Sequence, residues 1–336
     1  MPMVSAGRKR EATVSVALWL FGLCASTTAQ TITAFDPPGS TGTYPYAINT
    51  SGVIAGYYTH GNDVSHGFVR AASGRIAAFE VSGSTGTIAD SINDDGAITG
   101  RYADKNREFH GFLRASNGKI TTFSRGGATG TGPSGINSAG VITGYYTDDS
   151  GVSHGFERAV GGAMTSFDPS GSTGTYPFGI NDQDAIAGSY ADTNHVSHGF
   201  LRTANRKIET FDPSGSINTY PYGINSDEAV TGVYYDTNHK AHGFLRTMDG
   251  TITSFDPPGS ISTSAESINL NGTIAGSYYD SNGNAHGYYR GADGTITSFD
   301  PSGSTSTFAF GINSRGRITG YWYDSNKMSH GFVRYP

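Results

Sequence analysis

Short apolar runs alternate with polar turn residues along most of the chain, and no stretch keeps the 3.6-residue spacing of an amphipathic helix. In one unit these runs are 46–49 (YAIN), 53–58 (VIAGYY), 66–70 (HGFVR) and 75–80 (RIAAFE). Asn-x-x-Gly, Asp-x-Asn and Asn-Gly or Asp-Gly sequences separate them, and these residues favour tight turns. The pattern predicts four short strands, a to d, joined by turns.

The same pattern recurs every 44 residues without a gap, and seven units account for residues 29–336. The histidine of strand c shows the spacing: His66, His110, His154, His198, His242, His286 and His330. Four short strands in a unit of this length are typical of a propeller blade. The sequence therefore predicts an all-β fold, a seven-bladed β-propeller of four-stranded antiparallel blades.

The two ends of the repeat region predict how the ring closes. Residues 31–36 resemble a strand d without its blade, and the last unit stops after its strand c at 330–336. We expect the N-terminal strand to pair with the last blade, because this pairing leaves no long unpaired edge there.

The repeated pattern AIN-x-x-G-x-I-x-G-Y…HGF-x-R resembles the HAF-type extracellular repeat family, which carries His-Ala-Phe after a similar Ile-Asn…Gly core. The resemblance covers essentially all of 29–336. This sequence departs from it with Gly in place of Ala, and with Arg where the family is expected to have Trp. The resemblance implies an extracytoplasmic β-rich repeat protein and no established activity.

Residues 1–29 are typical of a secretory signal peptide, which leaves 30–336 as the predicted propeller. A basic stretch at 8–10 precedes an apolar run at 12–24 and a small-residue end. That run is shorter than the roughly 20 residues of a membrane span. We therefore expect the mature protein to be secreted or periplasmic. It should contain no disulfide, because Cys24 is the only cysteine and lies within the predicted signal peptide.

Composition and net charge limit the classes of partner that the protein is expected to bind. The chain contains 48 Gly, 20 Tyr and 18 Phe, which favours short strands and turns. Its net charge of −6 makes nucleic acid an unsuitable partner, since binding draws on cationic contacts to phosphate. We expect a monomer with no cofactor, no nucleic-acid partner and no membrane contact after signal cleavage.

The repeated histidines are predicted to be structural, with no catalytic residue and no metal site among them. Seven equivalent copies around a ring offer seven equivalent environments, whereas a general base needs one tuned environment. If Arg70 lies opposite Ile76, each histidine faces the end of strand d. The predicted pairs are His66–Glu80, His110–Ser124, His154–Asp168, His198–Asp212, His242–Asp256, His286–Asp300 and His330–Asp36.

Two further columns, meaning sets of equivalent positions in the seven units, each allow two interpretations. An arginine ends strand c in every unit. It is expected either to stack between blades or cap carbonyl groups, or to form part of a ring for an anionic ligand. An aspartate opens the b–c turn in six units, either as an Asx turn or as part of a calcium loop, and the loop lacks the acidic positions that calcium needs. His195 and His239 share one turn column, where a metal bridge is the less favoured alternative.

The connection from strand d to the next strand a is the longest predicted loop, and here the units differ. Loops on a rigid scaffold often carry function. Two columns hold aromatic pairs in four units and acids in two others, which predicts a ligand-binding rim with aromatics on one side and acids on the other. The candidate residues are Tyr44, Tyr46, Asp90, Tyr176, Phe178, Tyr220, Tyr222, Glu266, Phe308 and Phe310. The alternative is that the tyrosines only wedge the blades apart.

These observations predict a non-catalytic binding or scaffold protein for a glycan or cell-surface polymer. The alternative is an extracytoplasmic polysaccharide lyase or hydrolase. An enzyme of that kind would need two close carboxyl groups, and Asp90 and Glu266 are the candidates.

Overall fold

A computed structural model describes residues 31–61 and 64–336, so the predicted signal peptide at 1–29 lies outside the described residues. The 28 strands assigned there form seven four-stranded antiparallel sheets, and the described chain contains no helix. The described part accordingly has no helix long and apolar enough to cross a membrane. The predicted seven-bladed β-propeller is confirmed.

Six blades use four consecutive strands in chain order from the channel outwards, and in the seventh the outer strand comes from the start of the described chain. The innermost strands are β2 (Gly42–Ile48), β6 (Gly86–Ile92), β10 (Gly130–Ile136), β14 (Gly174–Ile180), β18 (Ser216–Ile224), β22 (Ser262–Ile268) and β26 (Ser306–Ile312). The second strands are β3 (Ile54–His60), β7 (Ile98–Ala103), β11 (Ile142–Thr147), β15 (Ile186–Ala191), β19 (Val230–Asp236), β23 (Ile274–Tyr279) and β27 (Ile318–Tyr323).

The third strands carry the His-Gly motif, and short outer strands complete the blades. The third strands are β4 (Val64–Arg70), β8 (Phe109–Arg114), β12 (Ser153–Arg158), β16 (Ser197–Arg202), β20 (Ala241–Arg246), β24 (Ala285–Arg290) and β28 (Ser329–Arg334). The outer strands are β1 (Ile32–Phe35), β5 (Ile76–Phe79), β9 (Ile120–Phe123), β13 (Met164–Phe167), β17 (Ile208–Phe211), β21 (Ile252–Phe255) and β25 (Ile296–Phe299).

The ring closes as the sequence predicts. Strand β1 pairs antiparallel with β28, with Ile32 opposite Arg334, so blade 7 has the order β1-β28-β27-β26. The innermost strand of blade 1, β2, contacts β26, β27 and β28 of this blade. A strand from one end of the repeat region therefore completes a blade from the other end.

A ring of asparagine side chains links the blades at one end of the channel. Each Nδ2 donates to the backbone carbonyl of the matching asparagine in the next blade, at 2.8–3.2 Å. Each Oδ1 accepts from the backbone N–H four residues later. This asparagine ring consists of Asn49, Asn93, Asn137, Asn181, Asn225, Asn269 and Asn313. The bond from Asn313 to Asn49 completes the circle.

The repeated arginines are stacked between blades, as the first of their two interpretations predicts. Each guanidinium lies over the phenylalanine ring of the preceding blade's outer strand, 4.5–5.4 Å from its centroid. This cation–π contact is a stabilising use of a buried cation. The arginines are Arg70, Arg114, Arg158, Arg202, Arg246, Arg290 and Arg334.

The predicted histidine pairing occurs in all seven blades. Arg70 pairs with Ile76, and each histidine Nδ1 lies 2.5–2.8 Å from the predicted oxygen at the end of strand d. In six blades Nε2 lies 3.4–3.7 Å from the turn aspartate. At His154 the hydrogen bond with Asp168 raises the pKa of the imidazole. These contacts tie strand c to strand d and to the b–c turn.

The glycine of the His-Gly-Phe motif has a steric role. A Cβ added to Gly67 would overlap the ring of Phe79, and the same holds at Gly199 with Phe211. The departure from the His-Ala-Phe pattern therefore makes room for the outer-strand aromatic ring, which lies directly on the third strand.

The turn aspartates form Asx turns. In six blades Oδ1 accepts backbone N–H groups two and four residues later, at 2.8–3.0 Å. His195 and His239 are exposed turn residues with a φ of 62°. One turn also brings Asp104, Glu108 and His110 together. Glu108 is exposed there, and Asp104 already accepts two backbone hydrogen bonds.

Candidate functional site

Each innermost strand contains a β-bulge near its middle, and the bulged residue differs between units. The register against the second strand shifts there in every blade. We call these residues the bulge ring: Tyr46, Asp90, Ser134, Phe178, Tyr222, Glu266 and Phe310. Bulges are common beside binding sites, because the extra residue re-aims a side chain.

A repeated glycine on the second strand makes the bulge possible. Pro45 pairs with Gly56, and a Cβ added to Gly56 would overlap the carbonyl oxygen of Tyr44. The same overlap with the backbone oxygen two residues before the bulge occurs at Gly100, Gly144, Gly188, Gly232, Gly276 and Gly320. The repeated glycine thus leaves room for the bulge, and the bulged residue itself differs between units.

The seven members of the bulge ring line one cavity of about 350 Å³ in the channel. Arg101, Pro133 and Tyr145 also contribute to its wall. The volume lies within the range of small-molecule sites. The positions at which the repeat breaks therefore converge on a single space.

The order around the ring differs from the predicted rim. Phe310 and Tyr46 are adjacent, with ring centroids 5.3 Å apart, and Phe178 and Tyr222 form a second pair at 5.3 Å. The predicted division into an aromatic side and an acidic side is wrong, because the chain order sets Asp90 and Glu266 in the two separate gaps between these pairs. The cavity consequently has two aromatic walls, and each gap between them holds one carboxyl group.

The other candidate column faces between blades. Tyr44 stacks on Tyr57 at 4.7 Å and meets Tyr321 of the preceding blade edge-on at 5.1 Å. Tyr176 similarly meets Tyr145 of the preceding blade. Tyr44, Tyr176, Tyr220 and Phe308 do not line the 350 Å³ cavity. Their placement fits the alternative of wedging the blades, and it also shows that this column lies within strands and not in loops.

The strand bounds explain this difference. Strand a was expected near 46–49, but β2 begins at Gly42. The d–a loop is correspondingly short, and the aromatic columns lie on the innermost strand. The sequence hides this because Gly, Pro and Ser within the segment are typical of turns, whereas here they accompany a bulged strand.

Asp90 is held by an arginine that sequence reasoning missed. Its Oδ1 lies 3.5 Å from Nη1 of Arg101, and Oδ2 is buried with no hydrogen-bond partner in the described chain. Burial raises the pKa of Asp90 to about 6 although Arg101 opposes the shift. Arg101 stands in a second-strand column with tyrosines, serines and a valine. The break in that column is the signal that could have found it.

Glu266 has a different environment. Its Oε1 accepts a hydrogen bond from the Ser264 hydroxyl at 2.5 Å, and no cationic group lies within 4.0 Å of its carboxylate among residues 31–61 and 64–336. Burial raises the pKa of Glu266 to about 7. Glu266 also lines a second cavity of about 200 Å³ beside Tyr279 and Phe308.

The channel continues from the bulge ring towards the asparagine ring. An adjoining cavity shares most bulge residues and is lined by isoleucines such as Ile48 and Ile180. At the far end, Asp94 accepts hydrogen bonds from Thr50 N–H and Oγ1, and Asp182 accepts one from Ser138 N–H. The acids at that end are therefore engaged in contacts between blades, in contrast to Glu266.

No family model matches the sequence, and no curated protein matches it. Solved structures do resemble the fold. The β-propeller domain of the Trilobed protease from Pyrococcus furiosus aligns over 87% of this chain and 95% of that one, at 9% identity and a TM-score of 0.63. That domain has an open velcro topology, whereas here β1 completes the last blade.

Two other similar structures belong to different functional classes. An acylaminoacyl peptidase from Pyrococcus horikoshii aligns over 88% of this chain and 52% of its own, at 10% identity and a TM-score of 0.61. A lectin from Burkholderia pseudomallei aligns over 90% and 95%, at 10% identity and a TM-score of 0.54. At such identities the likeness shows the fold alone, and function has to be argued from the site.

Proposed function

We propose that this chain is a non-catalytic extracytoplasmic binding module that holds a glycan, or an end of a cell-surface polymer, in the cavity of the bulge ring. The observation that carries the proposal is the convergence of all seven bulge residues on one cavity. The signal-like segment at 1–29 and the HAF-type resemblance support secretion or a periplasmic location.

The chemistry of the cavity suits a carbohydrate. The rings of Phe178, Tyr222, Tyr46 and Phe310 line the cavity and offer apolar surfaces against which sugar C–H groups can pack. Carboxyl oxygens and the Arg101 guanidinium supply acceptors and donors for hydroxyl groups. The buried Oδ2 of Asp90 lacks a partner, which a ligand hydroxyl can provide.

The residues that are repeated in every unit are less suited to binding a ligand. The asparagine Nδ2 groups bond to the neighbouring blade, the arginines stack on phenylalanine, and the histidines bond to strand d. The asparagine and histidine groups are thus already hydrogen-bonded within the protein, and the guanidinium groups are packed between blades. Binding is consequently assigned to the positions that vary.

An extracytoplasmic lyase or hydrolase is the second candidate, because two carboxyl groups with raised pKa values share the cavity. Each value follows from that group's own burial and its own neighbour, Arg101 or Ser264. Two carboxyl groups at the 5–5.5 Å of a retaining glycosidase would shift each other strongly. This favours binding without catalysis.

The test is a glycan array on the mature protein, followed by calorimetry with the best ligand. A Phe178→Ala/Tyr222→Ala double variant removes one aromatic wall and is expected to weaken binding by at least roughly tenfold. Tyr176→Ala is the matched control, since Tyr176 lies on the same strand as Phe178 but faces the neighbouring blade. Full affinity in a folded double variant would remove the proposal, and release of sugar products would favour the enzyme.

A further inference from the structure

The charges in the cavity do not balance. Asp90 and Arg101 compensate each other, and Glu266 remains with a single hydroxyl partner. A buried carboxylate without a cationic partner is expensive in free energy, because water is removed and no opposite charge replaces it. A ligand that brings the missing positive charge would offset this cost.

The surroundings of Glu266 match one class of ligand charge. Tyr222 and Phe310 flank it in the bulge ring, and Tyr279 lies in the second cavity that Glu266 also lines. Aromatic faces attract organic cations, and a carboxylate beside them adds a charge-assisted hydrogen bond. An anion would meet the acid with no new donor, so aromatic rings and Glu266 together select a positive group.

The second cavity indicates what the positive group is attached to. It measures about 200 Å³, and serine hydroxyls line it together with the rings of Tyr279, Phe308 and Phe310. The serines are Ser262, Ser264 and Ser277. Hydroxyls beside aromatic faces fit a polyhydroxylated ring better than an alkyl chain, because both kinds of contact are then used.

We propose that Glu266 binds the ammonium group of an amine-bearing sugar, so that the cavity selects amino sugars or their polymers over neutral or N-acetylated ones. This inference rests on the proposed glycan-binding function and narrows its ligand class. Asp90 and Arg101, across the ring, then contact hydroxyl groups of the same ligand.

The experiment compares two probes of equal length, glucosamine oligosaccharides and their N-acetylated counterparts, by calorimetry near pH 7, where the Glu266 carboxyl group is partly ionised and the sugar amine is partly protonated. We expect the amine-bearing probe to bind at least roughly tenfold more tightly to the unmodified protein. Glu266→Gln should abolish this preference while retaining the weaker binding of the N-acetylated probe. Asp182→Asn is the matched control, because it makes the same charge change at the far end of the channel.

The outcomes separate the two proposals. Equal binding of both probes, or an unchanged preference in Glu266→Gln, overturns the amine site and leaves glycan binding intact. If neither probe binds, a simple alkylammonium ion tests the amine site by itself. Its binding to the unmodified protein but not to Glu266→Gln supports the site, and its failure to bind overturns it.

Discussion

Two rings of side chains lie along the same channel. In each blade the bulge-ring residue lies on the innermost strand, and the asparagine follows three residues later, just beyond the end of that strand. The asparagine ring is identical in all seven blades, and each member bonds to the next. The bulge ring holds four aromatics, two acids and one serine. The asparagine must be the same in every blade because each one bonds to the next around the ring. Among the described residues, the bulged positions share no such repeated bond, and the glycine on the second strand accommodates the bulge whatever its side chain, so the identity of the bulged residue can differ between blades.

The comparison also explains why asymmetry marks the candidate site. A ring of seven equal side chains presents seven equal environments, and a small ligand bound to one of them has no preferred orientation. The bulge ring instead places two aromatic pairs, one paired acid and one unpaired acid around a single space. A ligand can be held in one orientation there.

The largest expected effect follows from the glycine behind the bulge. In Gly144→Ala, the new Cβ would overlap the carbonyl oxygen of Gly132, which is backbone and cannot rotate away. We expect a loss of about 3 kcal/mol or more in the free energy of unfolding, measured by urea denaturation. Gly130→Ala is the control on the neighbouring strand, where an added Cβ meets no atom within 4 Å. Equal stability of the two variants would refute the steric account of this column.

The next effect concerns the asparagine ring. Asn181→Ala removes a donor to the carbonyl of Asn225 and an acceptor for Ala185 N–H, both in a buried turn. Leaving these backbone groups unpaired is expected to cost about 2–3 kcal/mol. Asn194→Ala, at an exposed turn of the same blade, should change stability by less than about 0.5 kcal/mol. Thermal unfolding distinguishes the two, and similar melting temperatures would contradict a stabilising asparagine ring.

The sequence predicts the repeated features well, because each is a local pattern seen seven times. The hairpin between strands c and d fixes the register, so that His198 and Asp212 could be paired before any coordinates. The bulge at Phe178 is different, since Pro177 and Gly179 beside it are typical of a loop. Arg101 was missed because its role depends on Asp90 across a bulged register. Periodicity predicts which residues repeat and not where a variable side chain points.

The last prediction compares an acid that breaks the repeat with one that keeps it. Burial raises the pKa of Glu266 from 4.5 to about 7, so the folded protein retains a proton that the unfolded chain releases. The folded state therefore loses stability as the pH rises from about 4.5 to 7, and the full cost remains above that window.

Glu266→Gln removes this titration. It should raise the free energy of unfolding at pH 8 by roughly 2 kcal/mol, with little difference near pH 4.

Asp280 is the opposite case, because hydrogen bonds from the backbone N–H groups of Asn284 and Asn282 lower its pKa to about 2. Its stabilisation is complete above the unfolded value, so Asp280→Asn should be less stable than the unmodified protein at pH 8. Urea denaturation at the two pH values measures both. If Glu266→Gln also loses stability at pH 8, Glu266 stabilises the fold as a hydrogen-bond acceptor for Ser264. If the variant gains stability and loses the preference for the amine-bearing probe, the Glu266 carboxylate serves ligand binding at a cost in stability.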